Sequence, residues 1–265
     1  MKFRFDSTQT RLNNIGMPSS MPSNHRAQSP RFNTMAAHYI ELAPGDLTPL
    51  GSGKILYHAV ETEQGGSTAI DFSKTLKVGQ NEVFYSKPIK EITPGTYKWL
   101  RVSLAYQNYD IRFKSGAYHG TGTVASFIGF NTFINSFRIK NQNITVNANK
   151  LQGFWGFETT IPFLGDYTIT GQAPAGSTTV VNPLHSTSPI PAGSCVVTGF
   201  FVNATGTQTN LQITGDETQD IVIIVSLSTN NSFEWIENSG DNFYEPSAGD
   251  AVVDMGVRGM IPIIE

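Results

Sequence analysis

A chain of 265 residues can bury a substantial core, enough for one large all-β domain or two small ones. Charged residues make up only 15%, and a net charge of −3 leaves no basic footprint for nucleic acid and no polybasic patch for a membrane surface. The 25 glycines and 14 prolines exclude long helices over most of the length, and no run approaches the roughly 18 apolar residues of a membrane span.

The chain opens on K-F-R-F, a strand-like alternation with no leader ahead of it, as expected of the mature portion of an exported protein. Residues 12–33, with Asn, Ser and Pro interspersed, predict a long loop without periodicity. Period-two alternation then predicts strands over 36–43, 54–60, 81–86 and 97–104. Turns join them at P-G-D (44–46), E-Q-G-G (63–66) and T-P-G-T (93–96), where Pro presets φ and Gly supplies φ > 0. Segment 123–140 carries helical spacing at Val124, Phe127, Ile128, Phe133 and Phe137, but its β-branched and aromatic content predicts extended chain. Further strands are predicted over 153–161, 194–202, 220–227 and 251–257, and the apolar run 221–225 suggests a central strand covered on both faces. A second long loop, 171–193, lies among them; loops of that length inside an ordered domain are often functional. Many short strands separated by turns predict an all-β, antiparallel β-sandwich. It is expected as a single domain over 1–265, with two β domains, 1–115 and 143–265, as the alternative.

The single cysteine excludes a disulfide framework. Its setting, G-S-C-V-V-T-G-F-F, predicts that Cys195 is a buried core residue rather than a nucleophile. The five carboxylates between Trp235 and Asp254 raise a sharper possibility. Glu237, Ser239, Asp241, the Phe243 carbonyl and Glu245 fall at positions 1, 3, 5, 7 and 9 of a calcium loop, whose alternating oxygens wrap one hard cation. The match departs at position 1 (Glu237 rather than Asp), position 6 (Asn242 rather than Gly) and position 12 (Ala248 rather than Glu), so Asp250 or Asp254 would have to supply the last carboxylate. A solvated hairpin tip is the competing expectation.

G-F-W-G-F-E (153–158) sets Trp155 and Glu158 near one another, an aromatic and a carboxylate of the kind that grip a sugar ring. Alternation puts Phe154 and Glu158 on one face and Trp155 and Phe157 on the other. Asp110 and Glu158 are the candidate pair for a glycosidase, but no spacing motif supports them, and no G-x-S-x-G occurs. Of the five histidines (His25, His38, His58, His119, His185), His38 and His58 lie within predicted strands, each beside a tyrosine. If those strands pair, both imidazoles approach one soft-metal site.

Four phrases, S-P-R-F-N-T-M-A-A-H-Y-I-E-L-A-P, I-T-P-G-T-Y-K-W-L-R-V-S-L-A-Y-Q-N-Y-D-I, L-Q-G-F-W-G-F-E-T and V-V-D-M-G-V-R-G-M-I-P, together resemble uncharacterised exported lipoproteins of Bacteroidetes-type bacteria over most of the chain. The first half is also similar, more faintly, to methanobactin-associated MbnP-like β-sandwich proteins, which bind copper; no residue is carried over from them. The first resemblance implies a periplasmic or outer-membrane-attached protein, held at the membrane only through a lipid anchor absent from this chain. The expected function is a non-catalytic envelope binding or structural module, with a glycan or an envelope protein as partner and calcium as a structural ion. A carbohydrate-active protein and a copper-binding envelope protein are the alternatives.

Overall fold

The computed structural model describes residues 1–45, 48, 52–173 and 195–265. Strand makes up 54% and helical turns 4%, which settles the class as all-β. The predicted loop 171–193 falls outside the described residues from 174 onward, as does His185.

The spine is one long strand, Trp99–Ser115. Along one edge it pairs antiparallel with Arg31–Ala43. Its other edge is shared end to end by Tyr118–Phe127 and Cys195–Phe200. Phe154–Ile161 and then Gly165–Gln172 extend this sheet on one side, and Lys54–His58 closes it on the other. Burial alternates between the two faces. Met35, Ala37, Tyr109 and Val124 pack with Phe3, Val225, Leu227, Phe233 and Trp235 on one side. Ala36, Tyr106, Ala125 and Phe127 pack with Ile70, Ile134, Phe137 and Phe154 on the other. The seven-stranded sheet is therefore the middle layer, because sheets with two apolar faces must be covered twice.

One cover is a four-stranded sheet in the order Lys2–Asp6, Ile223–Ser228, Met260–Ile264, Val202–Asn203. The other holds Asn143–Leu151, Asn131–Arg138, Ala69–Asp71 and Glu61–Thr62. Most pairings are antiparallel, with parallel contacts at Lys2–Asp6 with Ile223–Ser228, Val202–Asn203 with Met260–Ile264, and Ala69–Asp71 with Asn131–Arg138.

Several predicted elements are corrected. Segment 81–86 is not a strand: Asn81 takes φ 60° in a turn, and only Val83 bridges, to Lys2. Segment 123–140 is extended but broken at 128–130, where the Ile128 and Gly129 N–H groups both donate to the Ala105 carbonyl. The loop 12–33 is shorter than predicted, since Arg26–Gln28 pairs with Phe233–Ile236. The predicted strand 251–257 ends at Asp254, and a further strand that was not predicted, Met260–Ile264, follows Gly259 at φ 83°.

Candidate metal centre

His38 arises from an irregularity in the strand Arg31–Ala43, whose register against Trp99–Ser115 shifts between Ala37 and Tyr39. A bulge of this kind sends an extra side chain out of the regular alternation. The neighbouring strand Lys54–His58 sets His58 opposite Tyr39. Three residues on, Glu61 begins a short strand that pairs with Ala69–Asp71 and so belongs to the covering sheet. The three side chains meet at this seam. His38 Nε2 lies 2.8 Å and His58 Nε2 3.1 Å from the same oxygen, Glu61 Oε1. Ligand atoms of all three residues lie within 4.8 Å of one another. Metal–ligand bonds of about 2.0–2.1 Å place tetrahedral ligand atoms roughly 3.3 Å apart, a spacing that the two His–Glu61 separations approach.

Aromatic rings fix the imidazoles. Tyr39 stacks on His58 at 4.0 Å, and Phe130 stacks on His38 at 5.2 Å. His38 is fully buried, which lowers its pKa and favours the neutral imidazole that a metal requires. Hydrogen bonds from His38 and then His58 outweigh burial and hold the Glu61 carboxyl down at about 2, fully ionised. Burial, with Glu61 beside it, pushes the Tyr39 phenol up to about 12, so it stays protonated. His58 and Glu61 keep 41% and 27% side-chain exposure, which leaves the cluster reachable from solvent. Among the described residues His38 Nδ1 is buried without a hydrogen-bond partner. Ligating histidines usually pass their second nitrogen to an acceptor, and mutating such acceptors typically costs 10–100-fold in affinity.

The sequence brought His38 and His58 to notice, and the structure pairs their strands. Glu61 was missed, although its i,i+3 spacing from His58 in H-A-V-E was there to be read.

The acidic stretch is organised differently. Lys114, from the central sheet, places its ammonium against Asp241 and 3.1 Å from Glu245. Asp241 also accepts from Ser239 and from the Phe243 N–H, both at 3.0 Å. Glu237 pairs with Arg26 at 3.0 Å and accepts the Asn242 N–H. Glu245 accepts the Gly116 N–H at 2.6 Å, and Asp250 takes the Asn238 and Glu245 N–H groups, each at 2.7 Å. Every one of these carboxylates already has a donor from the protein.

The candidate sugar site separates likewise. Glu158 is buried and accepts the N–H groups of Lys140, Asn141 and Gln142 at 2.8–3.0 Å, clamping the turn before Asn143–Leu151. Trp155 faces the other way, its ring lying over Gly171. Asp110 and Glu158 both sit across from Thr123 on neighbouring strands, but Asp110 is held by Arg31, Asn33 and Thr123. Cys195 is buried, and burial pushes its thiol up to about 12.

No protein-family model, curated protein or solved structure matches the chain.

Proposed function

We propose that the protein is a non-catalytic binding protein of the cell envelope whose ligand is one divalent transition-metal ion, zinc or copper(II), held by His38, His58 and Glu61. The observation that carries this reading is the convergence of two imidazole nitrogens on a single carboxylate oxygen at a solvent-reachable seam. Two imidazoles and one carboxylate suit borderline metals such as zinc and copper(II) rather than calcium. The envelope location rests on the phrases resembling exported lipoproteins. Calcium in the 237–250 stretch has less support, because Lys114 and backbone N–H groups engage the carboxylates there. Glycan binding has less support too, since both Glu158 oxygens are taken up by a turn.

The test is calorimetric titration of metal-free protein with zinc and with copper(II). One equivalent should bind, and His58→Ala or Glu61→Gln should remove it while Asp241→Ala leaves it intact. At a hundredfold excess over the dissociation constant, binding should stabilise the fold by about 2.7 kcal/mol. Absence of binding heat together with an unchanged Tm would reduce the cluster to a hydrogen-bonded triad.

A further inference from the structure

One edge of the middle sheet lacks the devices that protect three other edge strands of the described structure. Natural sheets protect open edges with Lys, Pro, bulges or short length, because unpaired backbone groups recruit another strand. Lys2–Asp6 carries Lys2, Arg4 and Asp6. Lys54–His58 is short, begins with a lysine, and pairs irregularly between Ile40 and Glu41. Asn143–Leu151 has Lys150, a register shift and Asn147 at φ 51°.

Gly165–Gln172 has none of these devices. It pairs with Phe154–Ile161 over eight consecutive residues without a shift, and it contains no Lys, Arg or Pro. Asp166 is its one charge, tied to Thr160 Oγ1 at 2.7 Å. Tyr167 and Ile169 point to one face and are 48% and 42% exposed. The turn leading into the strand carries Phe163 and Leu164, also exposed. Every second residue of such a strand directs its N–H and C=O outward, where only another extended strand meets both.

We infer that this edge joins two copies of the chain, antiparallel and edge to edge, about a two-fold axis through Thr168. The run D-Y-T-I-T is complementary to itself in that register. Thr168 lies opposite the partner's Thr168, Tyr167 opposite the partner's Ile169, and Asp166 opposite the partner's Thr170. Aromatic with β-branched and Thr with Thr are favourable cross-strand pairs, and the two aspartates are kept apart. Centring on Ile169 instead would set Tyr167 against the partner's Gly171 and lose the apolar pair. A two-fold axis satisfies both edges with one set of donors and acceptors, so a second copy fits better than an unrelated segment. The middle sheet then runs on from one copy into the other.

Light scattering coupled to size exclusion should show a dimer that dissociates on dilution. Ile169→Lys should yield monomers with an unchanged circular dichroism spectrum and Tm; Thr168→Pro should do the same. Thr168→Cys should form a disulfide dimer under mild oxidation, because residues facing each other across an antiparallel pair have Cα atoms about 4.5–5.5 Å apart, within disulfide reach. Cys195 is buried and does not compete, and Gln64→Cys, on an exposed turn, serves as the control that stays monomeric. A monomer at every concentration overturns the inference. So does a dimer that survives Ile169→Lys and leaves Thr168→Cys unlinked.

Discussion

Arg258 meets Glu234 twice on one oxygen, with Nε and Nη2 each 3.0 Å from Oε1. Arg11 reaches the same oxygen at 2.5 Å, and His25 Nδ1 takes the other at 2.7 Å. A single buried carboxylate thus ties the segment around residues 11–25 and the approach to the last strand onto Phe233–Ile236.

Glu234→Gln should therefore destabilise the fold severely. Breaking one partner out of a buried ion pair costs about 3–5 kcal/mol. Arg258 keeps Asp254 at 2.6 Å and Arg11 keeps the Asn230 and Asn231 carbonyls, so the lower end is expected. A Tm lowered by roughly 6–12 °C would agree. A loss within the error of the measurement would show that the network is dispensable.

Acid should expose the same groups. Burial raises the Glu234 pKa, but Arg258, His25 and Arg11 outweigh it and hold it below 4.5; for Asp110, Arg31, Thr123 and Asn33 likewise outweigh burial. Both carboxyls have folded pKa values below their unfolded ones. The stability they contribute is full above the unfolded values and is lost as pH falls through the folded ones. Urea midpoints should hold from pH 7 to 5 and drop below pH 4.5, less steeply in Glu234→Gln. Parallel pH profiles for the two proteins would refute the assignment.

The ammonium of Lys114 takes the place between Asp241 and Glu245 that a bound cation would occupy. Millimolar calcium is expected to leave the Tm of the native chain unchanged. Lys114→Met should lower it by leaving two carboxylates in mutual repulsion, and calcium should restore part of the loss. The calcium-loop reading requires the reverse, with calcium stabilising the native chain and chelator destabilising it.

Glu158→Gln tests whether that carboxylate is a ligand for substrate or a clamp for the turn. Hydrogen bonds to a charged group contribute about 1.5–3 kcal/mol, so a stability loss of that size is expected from the clamp. A variant with unchanged melting but altered glycan retention would favour the sugar site.

Cys195 should resist a thiol reagent in the native protein and react once denaturant is added, since burial holds the thiol far from its reactive thiolate. Rapid native labelling would contradict the burial.

The alternation of polar and apolar residues made the all-β class legible, and it located the strands at 54–60 and 153–161 to within a few residues, whereas 36–43 and 97–104 are only parts of the longer strands Arg31–Ala43 and Trp99–Ser115. It failed in three places, each for its own physical reason. Gly165–Gln172, rich in Thr and Gly, has little apolar signal because one of its edges and much of its surface stay open. Segment 81–86 has the right composition, yet the turn at Asn81 leaves it only one bridge. The carboxylates of 237–250 looked like a metal loop because their donors, Lys114, Gly116 and Arg26, lie more than a hundred residues upstream. The histidine pair was legible for the opposite reason, its two strands being near neighbours along the chain.

The shared edge of Trp99–Ser115 has a consequence for how the chain is made. The hairpin partner Tyr118–Phe127 follows directly, so the far half of the spine can close while the ribosome is still at work. The near half, from Trp99 to Leu104, must wait for Cys195–Phe200 to emerge. Lys2–Asp6 waits longer still, for Ile223–Ser228. Pairings across such separations form slowly, and edges left open meanwhile attract wrong strands. The nascent chain thus passes through a long interval with the central strand of its middle sheet half-clothed, when a holding chaperone would protect it most.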